Sequence, residues 1–183
     1  MGESTLYSIG HGNRSSNELL ALLQKYEIAY LVDIRSMPYS KYNPHFNKEN
    51  FERFLVQHDI KYIYLGDQLG GLPKDRTCYD ADGKVVYELV AQKIFFTEGL
   101  NRLINANEKR IKLAIMCSES KPQDCHRSKL IGKELRKKEI NVNHIDENGR
   151  IKDQFEVINI ATKGLGEQDL FGDRKLTSRK KYN

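Results

Sequence analysis

The stretch AIMCSESKPQDCHRSKLIGKEL, Ala114 to Leu135, passes through three textures. Ala114–Met116 continues an apolar run that begins at Ile111, and Cys117 closes it. Ser118–Asp124 is polar, with Pro122 disfavouring an early helix. From Cys125-His126-Arg127 onward, Leu130, Ile131 and Leu135 recur at helical spacing. An apolar strand, a polar loop and an amphipathic helix are half of a βα unit. Repeated, such units build a parallel sheet covered by helices.

The same alternation extends outward in both directions. Upstream, a helix is predicted over about Tyr87–Ala106, carrying Leu89, Ile94, Phe95, Leu100, Leu103 and Ile104 on its apolar positions. Strands are predicted at Lys61–Leu65, Ala29–Ile34 and Thr5–Ile9. Between them lie a helix capped by Asn47 and running to about His58, and one capped by Ser15 or Ser16 and running to about Tyr26, with Glu18 in its first turn. Downstream, the helix starting at Cys125 or His126 should reach Lys138, followed by a strand at Val142–Ile145 and a helix over about Asp153–Ala161. Gly66–Lys84 shows no period.

The fold class that follows is α/β: a single domain with a mainly parallel sheet of about five strands and helices on both faces. The 183 residues suffice for one core; 39% are hydrophobic and 30% charged, as in a globular protein with a polar surface. We assign residues 1–165 to the domain and 166–183 to a basic, flexible tail containing Arg174, Lys175, Arg179, Lys180 and Lys181. No apolar run approaches the ~20 residues of a membrane helix, so no membrane is expected. The N-terminus lacks the pattern of a signal peptide. Three cysteines form no disulfide framework, which points to the reducing cytoplasm. A net charge of +5 suits an anionic small molecule or nucleic acid as partner. Oligomeric state is left open.

In parallel sheets, ligands bind outside the carboxyl ends of the strands. Four polar clusters follow predicted strands: His11–Arg14, Asp33–Lys41, Gly66–Gly71 and Cys117–Arg127. All four should meet at one edge. His11, between two glycines, is read as an acid/base or ligand-binding group. Cys117, Glu119 and Cys125 complete the candidate catalytic set, with Cys125 as a thiol lowered by a helix N-terminus and by His126 and Arg127. That helix end and the Arg127 fork are expected to hold an anion. Asp33, Arg35, Tyr39, Lys41 and His126 join Arg127 as candidate anion- or substrate-binding residues; Tyr39 and Lys41 lie on a loop whose aromatics and basic group suit a stacked base. His144 is a weaker candidate, and Gly70-Gly71 is read as a turn. The spacing C-x7-C-H matches no standard zinc pattern, and adjacent Cys and His rarely point at one ion, so no metal and no cofactor is assigned.

IGHGNRS near the start, LVDIRSMPYSKYNPHF, Leu69-Gly70-Gly71 and MCSESKPQDCHRSKLIGKEL together resemble the DUF488 family of bacterial and archaeal proteins, from about Leu6 to Ile145. The most specific motif is C-x-E, a short polar insert, then C-H-R at a helix start. The family's first motif often reads Gly-His-Ser; here Gly12 stands in the serine's place. The resemblance implies the fold and the site but no reaction. The expected function is an enzyme, a hydrolase or transferase using Cys or His/Glu chemistry on a phosphate-bearing ligand. The alternatives are a non-catalytic nucleic-acid-binding module and a protein-interaction domain.

Overall fold

The computed structural model describes residues 4–166, 168–169, 172–173 and 175–182. Arg174 and the remaining tail positions lie outside the described residues. A six-stranded sheet forms the centre, in the order β3-β2-β4-β1-β5-β6. Its strands are β1 (Leu6–Gly10), β2 (Tyr30–Asp33), β3 (Lys61–Tyr64), β4 (Leu113–Cys117), β5 (Asn143–Ile145) and β6 (Ile151–Lys152). The first five are mutually parallel; β6 pairs antiparallel with β5. The α/β architecture is therefore as expected. The short edge strand β6 was not anticipated, because two residues after an Asn-Gly turn carry no periodicity.

β4 lies between β1 and β2, in register Leu6↔Leu113 to Gly10↔Cys117 on one side and Tyr30↔Leu113 to Asp33↔Met116 on the other. It is buried throughout, which explains why its sequence is apolar without alternation. Its side chains nonetheless divide by parity. Ala114 and Met116 pack with α1 (Ser16–Lys25) and α2 (Lys48–Val56), through Leu19, Leu23, Phe51 and Leu55. Leu113, Ile115 and Cys117 pack with α4 (Tyr87–Ala91), α5 (Ile94–Glu108) and the helix after the Cys125 loop, through Val90, Phe96, Leu100, Leu130 and Ile131. The loops leaving β1 and β2 thus turn toward one face and the loop leaving β4 toward the other. A crevice opens where neighbouring loops diverge in this way.

α1 begins with a reciprocal capping box: the Glu18 N–H donates to Ser15 Oγ at 3.2 Å, and the Ser15 N–H to the Glu18 carboxylate at 2.7 Å. Asn47 precedes α2, but its Oδ1 accepts from the Ser40 N–H at 2.7 Å and so ties down the long loop instead of capping the helix. The single helix predicted from Tyr87 is two, broken at Lys93, whose extended backbone places Nζ 2.8 Å from Asp75. A short helix α3 (Gly66–Leu69) stands in the aperiodic region.

The largest departure is the helix after Cys125. It opens as a π-helix over Arg127–Gly132 and becomes α-helical only at α6 (Lys133–Arg136). The cause lies in α7 (Gln154–Ala161). Gln154 Nε2 donates to the Ser128 carbonyl at 2.9 Å, and a Cβ on Gly132 would sit 2.0 Å from Gln154 Oε1. The amide inserts where Gly132 leaves room, and the backbone widens around it.

Residues 175–182, read from the sequence as tail, lie against the domain body. Leu176 and Ser178 are buried, Thr177 bridges Val86, and the Ser178 N–H donates to the Val85 carbonyl at 3.0 Å.

Candidate functional site

The four strand-end clusters share one edge of the sheet. The His11 N–H donates to the Cys117 carbonyl at 2.9 Å and the Ile34 N–H to the Met116 carbonyl at 3.0 Å, so the exits of β1, β2 and β4 are stitched together. Gly10 permits this. A Cβ there would lie 1.8 Å from the Glu119 carbonyl oxygen, where the 117–127 loop crosses β1.

A cavity of about 190 Å³ opens at this edge. Cys117, Glu119, Cys125 and His126 line it from the β4 loop, Arg35 from β2, and Arg179, Lys180 and Tyr182 from the C-terminal segment. On the far side of the 117–120 loop, His11 lines a second groove with Ser118, Glu119 and Asn43.

At the floor of the cavity are two thiols and an imidazole. Cys117 and Cys125 are 6% and 2% exposed. His126 Nδ1 lies 3.5 Å from Cys125 Sγ and 3.8 Å from Cys117 Sγ. Cys125 Sγ also accepts the backbone N–H of Arg127 at 3.5 Å. Burial opposes ionisation of Cys125, but the Cys117 S–H donated to it and the neighbouring His126 and Arg127 hold it well below an ordinary thiol. Cys117 is pushed the other way, by the bond it makes to Cys125 and by burial. Cys78 is buried elsewhere in the core, and burial raises its thiol as well.

Arg127 does not face the cavity. Its side chain is fully buried, donating to the carbonyls of Glu119 and of Ser120, the latter at 3.0 Å. It braces the loop from beneath and cannot also fork onto an anion. The helix end is occupied too: the Ser128 and Lys129 N–H groups donate to the Cys125 carbonyl, and that of Arg127 to Cys125 Sγ. The Arg127, Ser128 and Lys129 N–H groups expected to hold an anion at this helix start are therefore engaged within the chain.

Arg35 borders the cavity from the β2 side. Asp33, wholly buried, accepts from Arg35 Nε at 2.9 Å and Nη2 at 2.5 Å, and from the Tyr62 hydroxyl at 2.6 Å. Arg35 Nη2 also donates to the Phe46 carbonyl at 2.8 Å. Nη1 makes no hydrogen bond among the described residues, and Arg35 lines the cavity. Asp33 is thus a buried support rather than a ligand group.

His11 stacks on Phe46 with ring centroids 4.5 Å apart and donates from Nδ1 to the Gly12 carbonyl at 2.9 Å. Burial lowers it to about 4; the Gly12 bond opposes the shift and Arg35 adds to it. It is neutral at pH 7, with its lone pair on Nε2. Tyr39 and Lys41 line neither hollow. Tyr39 bonds the Glu49 carboxylate at 2.6 Å, and Lys41 lies over the Tyr42 ring. His144 is structural, held between Ser8 Oγ at 2.5 Å and Gln154 Oε1 at 2.6 Å.

The sequence reading missed the C-terminal contribution. Arg179 bridges Glu119 at 3.1 Å and Asp124 at 3.6 Å, closing one side of the cavity. In a run this basic, only Leu176 and Tyr182 signal that the segment packs at all. Gly71 was read as a turn, yet a Cβ there would lie 2.7 Å from His126 Nδ1, so the Leu-Gly-Gly motif lets the backbone seat the imidazole.

Fold and site together define an α/β protein built on a six-stranded central sheet, with a paired-thiol and imidazole cluster at its carboxyl edge. The chain belongs to the DUF488 family, a domain of unknown function, whose model matches residues 15–133. That span holds the Asp33, Gly66 and Cys117 clusters; the His11 turn and the C-terminal segment lie outside it. No curated protein and no solved structure matches the chain. Among the described residues, no helix is long and apolar enough to cross a membrane.

Proposed function

We propose that this protein is an enzyme that binds a small phosphate-bearing ligand in the cavity at the carboxyl edge of the sheet, and that the Cys117–Cys125–His126 cluster supplies the polar chemistry. One observation carries this reading. A cation fixed in place, Arg35, and the basic residues Arg179 and Lys180 border the same small hollow as two sulfurs and an imidazole. Asp33 and Tyr62 fix the Arg35 guanidinium before any ligand arrives, so little order is lost on binding. A planar guanidinium with a free edge suits a phosphate oxygen. A hollow of about 190 Å³ admits a phosphate and the group next to it, whereas pockets for whole drug-sized ligands measure roughly 300–1,000 Å³. Glu119 borders both the cavity and the His11 groove, so a neutral His11 and the Glu119 carboxylate offer a second acid/base pair beside the first.

Titration calorimetry with inorganic phosphate and with a nucleoside monophosphate tests the reading. Arg35→Lys and Lys180→Ala should each weaken binding, Arg35→Lys by about tenfold or more, because an ammonium cannot keep the Asp33 pairing and still aim a donor into the cavity. Saturable binding that neither change affects would refute it.

One observation favours a second reading, a nucleic-acid module. Met37, Tyr39 and Tyr42 are exposed on the loop that borders the cavity, with Lys41 beside them. That reading requires single-strand binding that falls steeply with salt and is lost in Tyr42→Ala.

A further inference from the structure

We propose that Cys117 Sγ, Cys125 Sγ and His126 Nδ1 bind one zinc-class divalent ion, with its fourth coordination position open to the cavity. The metal stands independently of the proposed ligand; only the identity of the fourth ligand, a phosphate-type oxygen, rests on that reading.

The separations fit. Zinc bonds of about 2.3 Å to sulfur and 2.0–2.1 Å to nitrogen, at tetrahedral angles, place N and S roughly 3.6 Å apart. The imidazole nitrogen lies 3.5 and 3.8 Å from the two sulfurs, and all three atoms lie within 4.8 Å of one another. Both N–S separations therefore match the edges of such a tetrahedron, and the sulfurs lie close enough to one another to close its face around an ion. Cys125 Sγ is already solvated for a thiolate, since it accepts the Arg127 backbone N–H at 3.5 Å. Among the described residues, His126 Nδ1 has no contact of hydrogen-bonding type except these two sulfurs. Its Nε2 is buried without a partner, so no hydrogen bond orients the ring for another task.

The sequence spacing seemed to exclude this, since Cys125 and His126 are adjacent. The turn resolves it. Residues 122–124 form a 3-10 turn, Cys125 is extended, and His126 has already entered the helix, so consecutive side chains fold back toward Cys117. Gly71 leaves the space in which the ring can sit with Nδ1 inward.

Charge then specifies the fourth ligand. Two thiolates neutralise a divalent ion. Arg127 lies buried beside them, bonded to carbonyls, and no acidic side chain pairs with it among the described residues. The assembly is left with one positive charge, and Arg35 borders the opening. An anionic oxygen in the fourth position balances it. Sulfur and imidazole donors select zinc-class ions over magnesium or calcium, and loading releases the thiol protons to solvent. Three protein ligands with one position open is the pattern of a catalytic rather than a structural ion.

The test uses the full chain, stripped with a chelator and titrated with Co²⁺ and Zn²⁺ salts. The expected result is one equivalent of Co²⁺ bound with a sulfur-to-cobalt charge-transfer band, bleached by Zn²⁺. Cys117→Ser, Cys125→Ser and His126→Gln should each lose the band or bind at least tenfold more weakly, while His45→Gln, on the surface, keeps it. Should the ligand variants not fold, X-ray absorption of the zinc-loaded wild type decides: two sulfurs and a nitrogen in the first shell support the site, and a shell of nitrogen and oxygen alone overturns it. No uptake, or a band that survives Cys117→Ser/Cys125→Ser, also overturns it. Adding inorganic phosphate separates the two claims. A phosphate-induced change in the visible cobalt bands supports the open position. Phosphate binding in a protein that takes up no metal removes the ion and leaves the cavity reading standing. A bound ion indifferent to phosphate and nucleotide leaves the metal and removes the phosphate.

Discussion

A methyl group at residue 71 would meet the His126 ring. With a Cβ 2.7 Å from Nδ1, Gly71→Ala must push the imidazole away from the sulfurs. The position is half-buried, so the fold should survive, while affinity for cobalt or zinc falls at least tenfold; metal titration beside a thermal melt checks both parts. Arg127 makes the opposite case. Its change should act on stability first. Arg127→Met leaves the Glu119 and Ser120 carbonyls without their donor, and a buried group so stranded costs about 1–3 kcal/mol. Urea denaturation should show a loss of roughly 2–5 kcal/mol, and a loss below about 1 kcal/mol would mean that the guanidinium does not brace the loop. The residue types at both positions were plain in the sequence, but their roles were not. An arginine that reaches an anion and one that holds up a loop look identical until the carbonyls are placed.

Between elements, the chain Ser8–His144–Gln154 joins β1, β5 and α7, and through Gln154 reaches the π-helix. Burial lowers His144 to about 4; the Gln154 bond opposes this, Arg127 adds to it, and Cys125 and Asp153 oppose it. The sign follows. The folded state holds His144 neutral, whereas the unfolded chain takes up a proton near pH 6.5. The stability is fully present above that pH and is lost as pH falls toward about 4. The loss from this group is on the order of 3 kcal/mol, and His11 acts in the same direction. Urea midpoints at pH 7 and 4.5 should therefore separate widely in the wild type and less in His144→Gln. Equal separation would show that His144 contributes nothing. The strands and long helices that make this network possible were legible, since apolar runs and the Ser15 cap have local signatures. The π-helix was not. It depends on Gln154 meeting Gly132 across 22 residues of chain, and no local period records that encounter.

At the scale of the molecule, the sheet order brings four loops to one edge, and the C-terminal segment closes over them. The edge itself could be read from the sequence, because polar clusters after apolar strands in a parallel sheet have only one place to meet. The division of that cluster into a cavity and a groove could not, nor could the packing of 175–182, whose charges mask Leu176 and Tyr182. Arg179 gives a clean test of what the segment does. Its ion pairs with Glu119 and Asp124 are about half exposed, and such pairs contribute about 0–1 kcal/mol. Arg179→Ala should leave the melting temperature nearly unchanged and weaken phosphate binding several-fold; unchanged affinity would make the segment a cover without a binding role.

If this cavity is where an anionic ligand binds, phosphate titrated into isotopically labelled protein and followed by NMR should give saturable shifts at the Arg35 guanidinium and at the amides of Ser36, Ser118, Glu119, Arg179 and Lys180, which surround the opening. Shifts that do not saturate, or that gather at Lys41 and Tyr42 while Arg35 stays still, would contradict it.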